Sequence, residues 1–198
     1  MIPRHLQIAI AAMLAVALGM GLYLRHLQGR ARKQPAAAQL TPVRPPASGP
    51  TEQVTLYVAY DNPGMLVARA ASIPLPAGRQ ERAQEVLRAL LASSVEKDSP
   101  HPLPAGAEVN NVFLVDSGLA VIDLNAAFAD GHRSGVIVEE LTIVSLIQTL
   151  TANTPGISRV KFLIEGKQRE TLAGHADLSC TYDVSAVQQL VQQLQAAQ

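Results

Sequence analysis

An uncharged run of 17 residues near the N-terminus, residues 8–24, most constrains how this chain can fold. As an α-helix this run would be roughly 25 Å long, at about 1.5 Å per residue. The hydrocarbon core of a bilayer is about 30 Å thick. Leu6 extends the apolar run at one end, and Arg25 can reach the lipid headgroups at the other. We therefore predict a transmembrane helix over residues 8–24, after a short tail over residues 1–7.

Two other interpretations of the apolar run remain open. It could be a buried core helix, although no amphipathic partner follows it. It could also be a cleaved signal peptide, because Ala36 and Ala38 form an A-x-A-like site. Four basic residues separate that site from the apolar run, so we favour an uncleaved single-pass anchor. No cysteine follows the run directly, which argues against a lipid-modified cysteine as the anchor.

The segment after the apolar run combines basic residues with proline and alanine. Residues 25–33 contain four basic side chains, and five prolines fall between Pro35 and Pro50. This composition predicts an extended, polyproline-like linker over residues 25–53. The basic residues also create a conflict over topology. Taken alone, the positive-inside rule would place the side that carries them, and the domain beyond, in the cytoplasm.

The rest of the chain is acidic. All 16 Asp and Glu residues lie in residues 51–198, together with ten of the 16 Lys and Arg residues. An acidic surface repels the phosphate backbone of nucleic acids, and a chain with 4% aromatic residues and no Trp offers few platforms for base stacking. We therefore expect no nucleic-acid partner. The single cysteine excludes an internal disulfide framework and a zinc site of four thiolates.

Hydrophobic periodicity predicts the order ββαββαβ for the folded domain. Alternating patterns predict two hairpins, over residues 54–75 and 108–124, and each contains a turn sequence. Helical periodicity predicts two main helices, over residues 79–93 and 136–150. We therefore expect an α+β fold, with a mostly antiparallel sheet and the two main helices packed on one face.

Three further segments complete the predicted domain. Residues 160–164 read as a strand, and residues 172–178 as a short strand or turn. Residues 183–198 form a Gln-rich tail with apolar residues at helical spacing. The second hairpin has an apolar outer face as well as an apolar inner face, so we expect another element to cover part of it. The outer residues are Phe113, Val115 and Val121.

Three sequence motifs and a helix rich in Glu and Leu occur in order along this domain. The hairpin VFLVDSGLAVIDLN covers residues 112–125, and the helix ends in QTLT. VKFLIEG follows at residues 160–166, and LAGHADLS at residues 172–179. Together they resemble the GerMN domain family over residues 54–182. One copy of the pattern is present, and Glu165 stands where the family usually has Asp.

The resemblance implies a fold similar to the ring-building motifs of secretion-system rings. Family members are typically envelope proteins, tethered outside the cytoplasmic membrane by a lipid or a single helix. The protein that gives the family its name supports assembly of an envelope-spanning complex in sporulating bacteria. We give this resemblance more weight than the count of basic residues. We therefore expect a protein of the cytoplasmic membrane whose C-terminal domain is extracytoplasmic.

The residues that could carry chemistry fit structural roles better. His175 and Asp177 would share one face of a strand, but Cys180 would point away, so we expect no metal site. We expect His175 and Asp177 to satisfy backbone groups at a turn instead. Glu139 and Glu140 face different sides of their helix, so an acid–base pair is not expected. Their predicted role is favourable charge near the helix start.

Other polar residues give no catalytic pattern. Ser117 lies in a D-S-G turn rather than the G-x-S-x-G of a nucleophile elbow. His101 and His132 lie in Pro-rich and Gly-rich segments, where we expect solvated side chains. The glycines form no phosphate-binding pattern. We therefore predict no catalytic, cofactor-binding or metal-binding residue, and no enzymatic activity.

The expected function is a non-catalytic, membrane-anchored scaffold or assembly factor for a cell-envelope complex. A role in sporulation or germination is implied by the resemblance alone. The expected partners are other envelope proteins or further copies of the chain, which would bind an exposed sheet edge or helix face. The alternative is a binding module for cell-wall glycan. The scarcity of aromatic residues counts against that alternative, because sugar faces usually stack on Trp or Tyr.

Overall fold

The computed structural model describes residues 49–115 and 117–196. These residues belong to one compact unit, Ser48–Gln198. The predicted transmembrane helix over residues 8–24 and most of the predicted linker over residues 25–53 lie outside the described residues. Within the described part, one helix, Val136–Asn153, is long and apolar enough to cross a membrane. Most of its residues are buried inside the domain, as in the core helix of a globular fold.

The described residues form six strands and four helices. The predicted hairpins, the two main helices, the strand near residue 160 and the C-terminal helix are all present. In chain order the elements are β1 (Thr51–Tyr60), β2 (Met65–Pro74), α1 (Arg79–Val95), β3 (Val109–Val115), β4 (Leu119–Leu124), α2 (Ala126–Asp130), α3 (Val136–Asn153), β5 (Arg159–Ile164), β6 (Thr181–Asp183) and α4 (Val184–Ala196).

The α+β class is confirmed, but the prediction of one sheet is wrong. Strands β1 and β2 form a separate two-stranded antiparallel sheet. The other four strands form a second sheet in the order β3-β4-β5-β6. In that sheet β4 and β5 are parallel, because the chain passes through α3 between them and returns in the same direction.

Polar side chains on α3 explain why the first hairpin stays separate. Ser145, Thr149 and Asn153 follow one another at four-residue spacing and are buried. The Tyr57 N–H donates to Thr149 Oγ1 at 2.8 Å, and Ser145 Oγ donates to the Tyr57 carbonyl at 2.6 Å. Asn153 accepts from the Thr55 N–H at 3.0 Å and donates to the Thr55 carbonyl at 2.7 Å. These bonds occupy the outer edge of β1, which therefore cannot accept another strand.

The core of the domain contains side chains from both sheets and from all four helices. Phe128 of α2 and Phe162 of β5 are its largest fully buried side chains. Burying a side chain of this kind stabilises a fold by roughly 1.5–3 kcal/mol. Helix α4 contributes Val184, Val187 and Val191 to the same core. The helical segment predicted at the C-terminus therefore packs on the domain.

Candidate functional site

The acidic residues of two sequence motifs hold those motifs together. Asp123 Oδ1 accepts the N–H of Gly166 at 2.7 Å. Glu165 Oε1 accepts the N–H of Ala126 at 2.8 Å, at the start of α2. The N–H of Glu165 in turn donates to the Leu124 carbonyl at 2.9 Å. These carboxylates therefore fix a turn and a helix start.

Asn125 has a similar role at the end of β4. Its Oδ1 accepts the N–H of Phe128 at 3.0 Å and caps the N-terminus of α2. The same oxygen accepts the N–H of Glu108 at 3.1 Å, and Nδ2 donates to the Gly106 carbonyl at 2.7 Å. One side chain thus joins α2 to the loop before β3.

Glu139, in the first turn of α3, is the most completely bonded carboxylate in the described structure. Its side chain is 0% exposed. Oε2 accepts the N–H groups of Ala173, His175 and Ala176 at 3.0, 2.9 and 2.9 Å. Oε1 accepts His175 Nδ1 at 2.8 Å and the N–H of Gly135 at 3.1 Å. We call these bonded groups the Glu139 anchor, because they attach the loop after β5 to α3.

The hydrogen bonds of the Glu139 anchor keep its carboxylate ionised. Burial alone would raise the pKa of Glu139 from its ordinary 4.5. The His175 ring and the N–H groups of Ala176, Ala173 and His175 together outweigh burial and lower the pKa to about 2. The predicted role of Glu139, favourable charge at a helix start, therefore understates what this side chain does.

The residues considered as a metal cluster have separate partners. Asp177 Oδ1 accepts the N–H and the hydroxyl of Ser179 at 2.7 and 2.6 Å, which is the predicted turn role. His175 is in the Glu139 anchor rather than bonded to local backbone acceptors. The thiol of Cys180 is exposed and lies 3.4 Å from the Asp177 carbonyl. Among the described residues, no group of three or more His, Cys, Asp or Glu side chains is placed to hold a metal ion.

His101 and His132 correct the prediction of solvated loop histidines, because they are only 2% and 8% exposed. The two loops bend inward, and both Nε2 atoms meet the hydroxyl of Thr142 on α3, at 2.6 Å from His101 and 2.8 Å from His132. His101 Nδ1 lies 2.5 Å from Asp61 Oδ1, and Arg133 donates to Asp61 Oδ2 at 2.7 Å. We call these five residues the histidine cluster.

The hydrogen bonds of the histidine cluster can be counted proton by proton. Each Nδ1 faces an acceptor, a carboxylate for His101 and the Arg133 carbonyl for His132, so both Nδ1 atoms carry hydrogen. With two neutral rings, both Nε2 atoms would need a donor, and Thr142 has one hydroxyl hydrogen. One additional proton on either Nε2 gives both contacts a donor and an acceptor. With both rings neutral, one of the two Nε2 atoms therefore has no donor.

The neutral rings are nevertheless favoured over a protonated one. Burial lowers the pKa of both His101 and His132, although Asp61 partly opposes this for His101. The row Asp61–His101–Thr142 contains the residue types of a catalytic triad. However, Thr142 is only 2% exposed, and its hydroxyl also lies 3.0 Å from the Val138 carbonyl. In this structure the hydroxyl is enclosed by the cluster and does not face a substrate.

The outer face of the four-stranded sheet offers a different kind of site. Phe113 and Val115 of β3 are 45% and 48% exposed. Phe113 lies opposite Val121, and Val115 lies opposite Leu119, so apolar side chains continue across the β3–β4 pair. The predicted cover is not found over Phe113 and Val115, whereas Val121 is partly buried. We call this surface the open sheet face.

Comparison with protein families finds a match over more than half of the chain. Residues 55–170 match the model of the Germane family, whose description is "Sporulation and spore germination". These residues include most of the β1–β2 hairpin, the β3–β4 hairpin, α3 and β5. Comparison with curated proteins finds no match.

Similar solved structures include proteins from two bacteria. The tandem GerMN domains of the sporulation protein GerM from Bacillus subtilis superpose with a TM-score of 0.51 at 24% identity, over 67% of this chain and 46% of that one. The first GerMN domain of the same protein gives 0.46 at 23% identity, over 64% and 92%. A candidate lipoprotein from Clostridium perfringens gives 0.47 at 20% identity, over 71% and 92%.

Proposed function

The chain belongs to the Germane family of sporulation and spore germination, and we propose that it is a membrane-anchored scaffold or assembly factor of the cell envelope. In this proposal residues 8–24 span the cytoplasmic membrane once. The folded domain lies on the extracytoplasmic side, where it binds other envelope proteins or further copies of the chain. It has no catalytic activity.

The open sheet face is the observation that carries this proposal. An apolar surface that a fold leaves uncovered is commonly a binding surface. Phe113 and Val115 lie on β3, at the edge of the sheet, where a partner can reach both the apolar side chains and the strand. Arg159 and Lys161 lie beside Leu119 and Val121 on the same face, and they give the apolar centre a basic border.

The arrangement of titratable groups supports a non-catalytic role. The carboxylates of Asp123, Glu139 and Glu165 accept backbone N–H groups. His101 and His132 are bonded to Thr142 inside the domain. These five side chains are thus occupied in stabilising the fold.

Two experiments test the proposal. Protease added to intact cells and to spheroplasts should digest a C-terminally tagged full chain only after the outer barriers are opened. Protection until the inner membrane is lysed, with an external control protein cut, would place the domain in the cytoplasm and contradict the proposal.

The second experiment uses a photo-crosslinking residue at position 113 of the full chain in cells. We expect crosslinks to a defined envelope protein or to a second copy, and their loss in Val115→Asp. A crosslinker at the exposed position 75, in place of Leu75, is the matched control. If position 113 gives no specific crosslink while the protein is retained on purified peptidoglycan, the glycan-binding alternative replaces the scaffold proposal.

A further inference from the structure

A groove of about 390 Å³ lies between α3, α4 and the loop of the Glu139 anchor. Ile143 and Val144 of α3 and Val187 of α4 form its apolar floor and are buried. Val136, at the start of α3, lies at its mouth and is 58% exposed. The groove is separate from the open sheet face, because none of the outer residues of β3 or β4 lines it.

The groove carries negative charge. Glu140, Asp177 and Asp183 line it, and none of the described lining residues is Lys or Arg. In the described structure Glu140 makes no ion pair. Asp183 Oδ1 accepts the N–H and hydroxyl of Ser185, as Asp177 does from Ser179, so both carboxylates are held in position.

Nearby basic residues do not neutralise the groove from within. Lys161 donates to the carbonyls of Leu178, Ser179 and Cys180. Arg159 lies opposite Asp183 in the β5–β6 pair but does not line the groove. His175 lines the groove, but its Nδ1 is bonded to Glu139. The carboxylates that border the apolar floor thus have no cation inside the groove, although Arg159 and Lys161 attract Asp183 and Asp177 from outside it.

The dimensions of the groove limit its occupant. On α3 the lining residues run from Val136 to Val144, which is about 12 Å at about 1.5 Å per residue. On α4 they run from Ala186 to Leu190. About two turns of helix, or three to four extended residues, fit this length. An apolar floor would hold aliphatic side chains, and the carboxylates would hold a neighbouring cation.

We propose that this groove binds a short segment of another protein in which Lys or Arg stands next to Leu, Ile or Val. Burial of the aliphatic side chains contributes most of the affinity. The carboxylates add selectivity for basic segments and make binding weaker at high salt, because added ions screen exposed charges. An acidic segment is disfavoured by repulsion, and a purely polar segment has no aliphatic side chain for the apolar floor.

The test is a selection of random dodecapeptides displayed on phage against the full chain, purified in neutral detergent. We expect the selected peptides to carry Lys or Arg beside aliphatic residues. Their affinity should fall at least about tenfold in the variant E140Q/D177N/D183N, in which Asn can still accept the local hydrogen bonds. Substitution Ala186→Trp, at an exposed lining position, should block the groove and give a similar loss.

Two controls separate binding in the groove from a general effect of charge and from binding at the open sheet face. The variant E81Q/E96Q/D98N removes three exposed carboxylates elsewhere on the domain and should leave peptide affinity unchanged. Substitution Phe113→Asp tests the open sheet face and should not affect peptide binding, so the two proposals fail independently. If no groove-dependent peptide is selected, or if E140Q/D177N/D183N keeps affinity within about twofold, the groove is not a site for basic segments.

Discussion

Helix α3 carries two buried polar clusters within one turn of each other. They differ in the supply of hydrogen-bond donors. Glu139 receives five hydrogen bonds from donors, four of which are backbone N–H groups that cannot lose their hydrogen. Three residues later, Thr142 provides one hydroxyl hydrogen to two histidines and a carbonyl. The first cluster has a single charge state over most of the pH scale. The second depends on where one proton lies.

The two clusters therefore differ in whether their hydrogen bonds depend on pH. The Glu139 anchor joins α3 to the loop at residues 173–176 and needs only an ionised carboxylate. The histidine cluster joins the β1–β2 turn to the two loops that carry His101 and His132, and its hydrogen bonds rearrange whenever a ring changes protonation. Buried polar groups stabilise a fold only when every member is satisfied, so the two joints should respond differently to mutation and to pH.

Breaking the Glu139 anchor should have the largest effect. In Glu139→Gln the amide NH₂ faces N–H donors, and the charge that attracts them is gone. We expect a loss of about 3–5 kcal/mol in the free energy of unfolding of the full chain, measured in urea by circular dichroism. Glu140→Gln is the matched control and should change the free energy by less than about 0.5 kcal/mol. Equal losses in both variants would contradict the anchor.

Acid should weaken the two clusters in two separate pH windows. The pKa of Glu139 is lowered from 4.5 to about 2, so its contribution is present above pH 4.5 and is lost as pH falls towards 2. This shift corresponds to about 3 kcal/mol. The pKa values of His101 and His132 are lowered from 6.5, so their contribution is complete above pH 6.5 and falls below it.

The pH dependence of urea unfolding can assign each window. Glu139→Gln should remove the loss below pH 4.5 and keep the loss that begins near pH 6.5. A double substitution of His101 and His132 by Gln should do the reverse. A single acid transition that neither variant alters would show that other groups control acid unfolding.

Removing the hydroxyl of the histidine cluster should have an intermediate effect. Thr142→Val keeps the shape of the side chain and leaves both Nε2 atoms without their shared partner. We expect a loss of about 1–3 kcal/mol. Thr151→Val is the control, because its hydroxyl bonds only to carbonyls of its own helix. A loss no larger than that of the control would indicate that Thr142 does not link the rings.

The smallest effect is expected at the exposed edge of the Glu139 anchor. The side chain of His175 is 42% exposed, and its ring supplies one of the five bonds to Glu139. His175→Ala should cost about 1 kcal/mol, because the four backbone donors remain. It should also raise the pKa of Glu139 and start acid unfolding at higher pH. An acid transition identical to that of the unchanged chain would exclude His175 from the anchor.

Local sequence patterns predicted most elements, because strand and helix periodicity depend on neighbours along the chain. Hydrophobic periodicity could not predict that the strands divide into two sheets. That division depends on Ser145, Thr149 and Asn153, which look like ordinary polar positions until β1 is packed against α3. A four-residue spacing of small polar residues on an apolar helix was the available signal.

The buried clusters were harder to predict than the fold. Asp61, His101 and His132 lie on three different loops, far apart in sequence, so nothing local indicates that they meet at Thr142. The sequence contained a weak indication of the role of Glu139. The Gly- and Ala-rich loop at residues 172–178 offers many N–H groups that need an acceptor, and a carboxylate can supply one. The motifs that revealed the family are thus largely motifs of hydrogen bonding within the fold.

Hydrogen exchange at the loop of the Glu139 anchor tests this account most directly. The N–H groups of Ala173, His175 and Ala176 should be protected in the full chain. They should exchange at least about a hundredfold faster in Glu139→Gln, while helix α1 keeps its protection. Equal exchange at these three amides with and without the carboxylate would contradict the account, and Glu139 would then be free for a role in binding or catalysis.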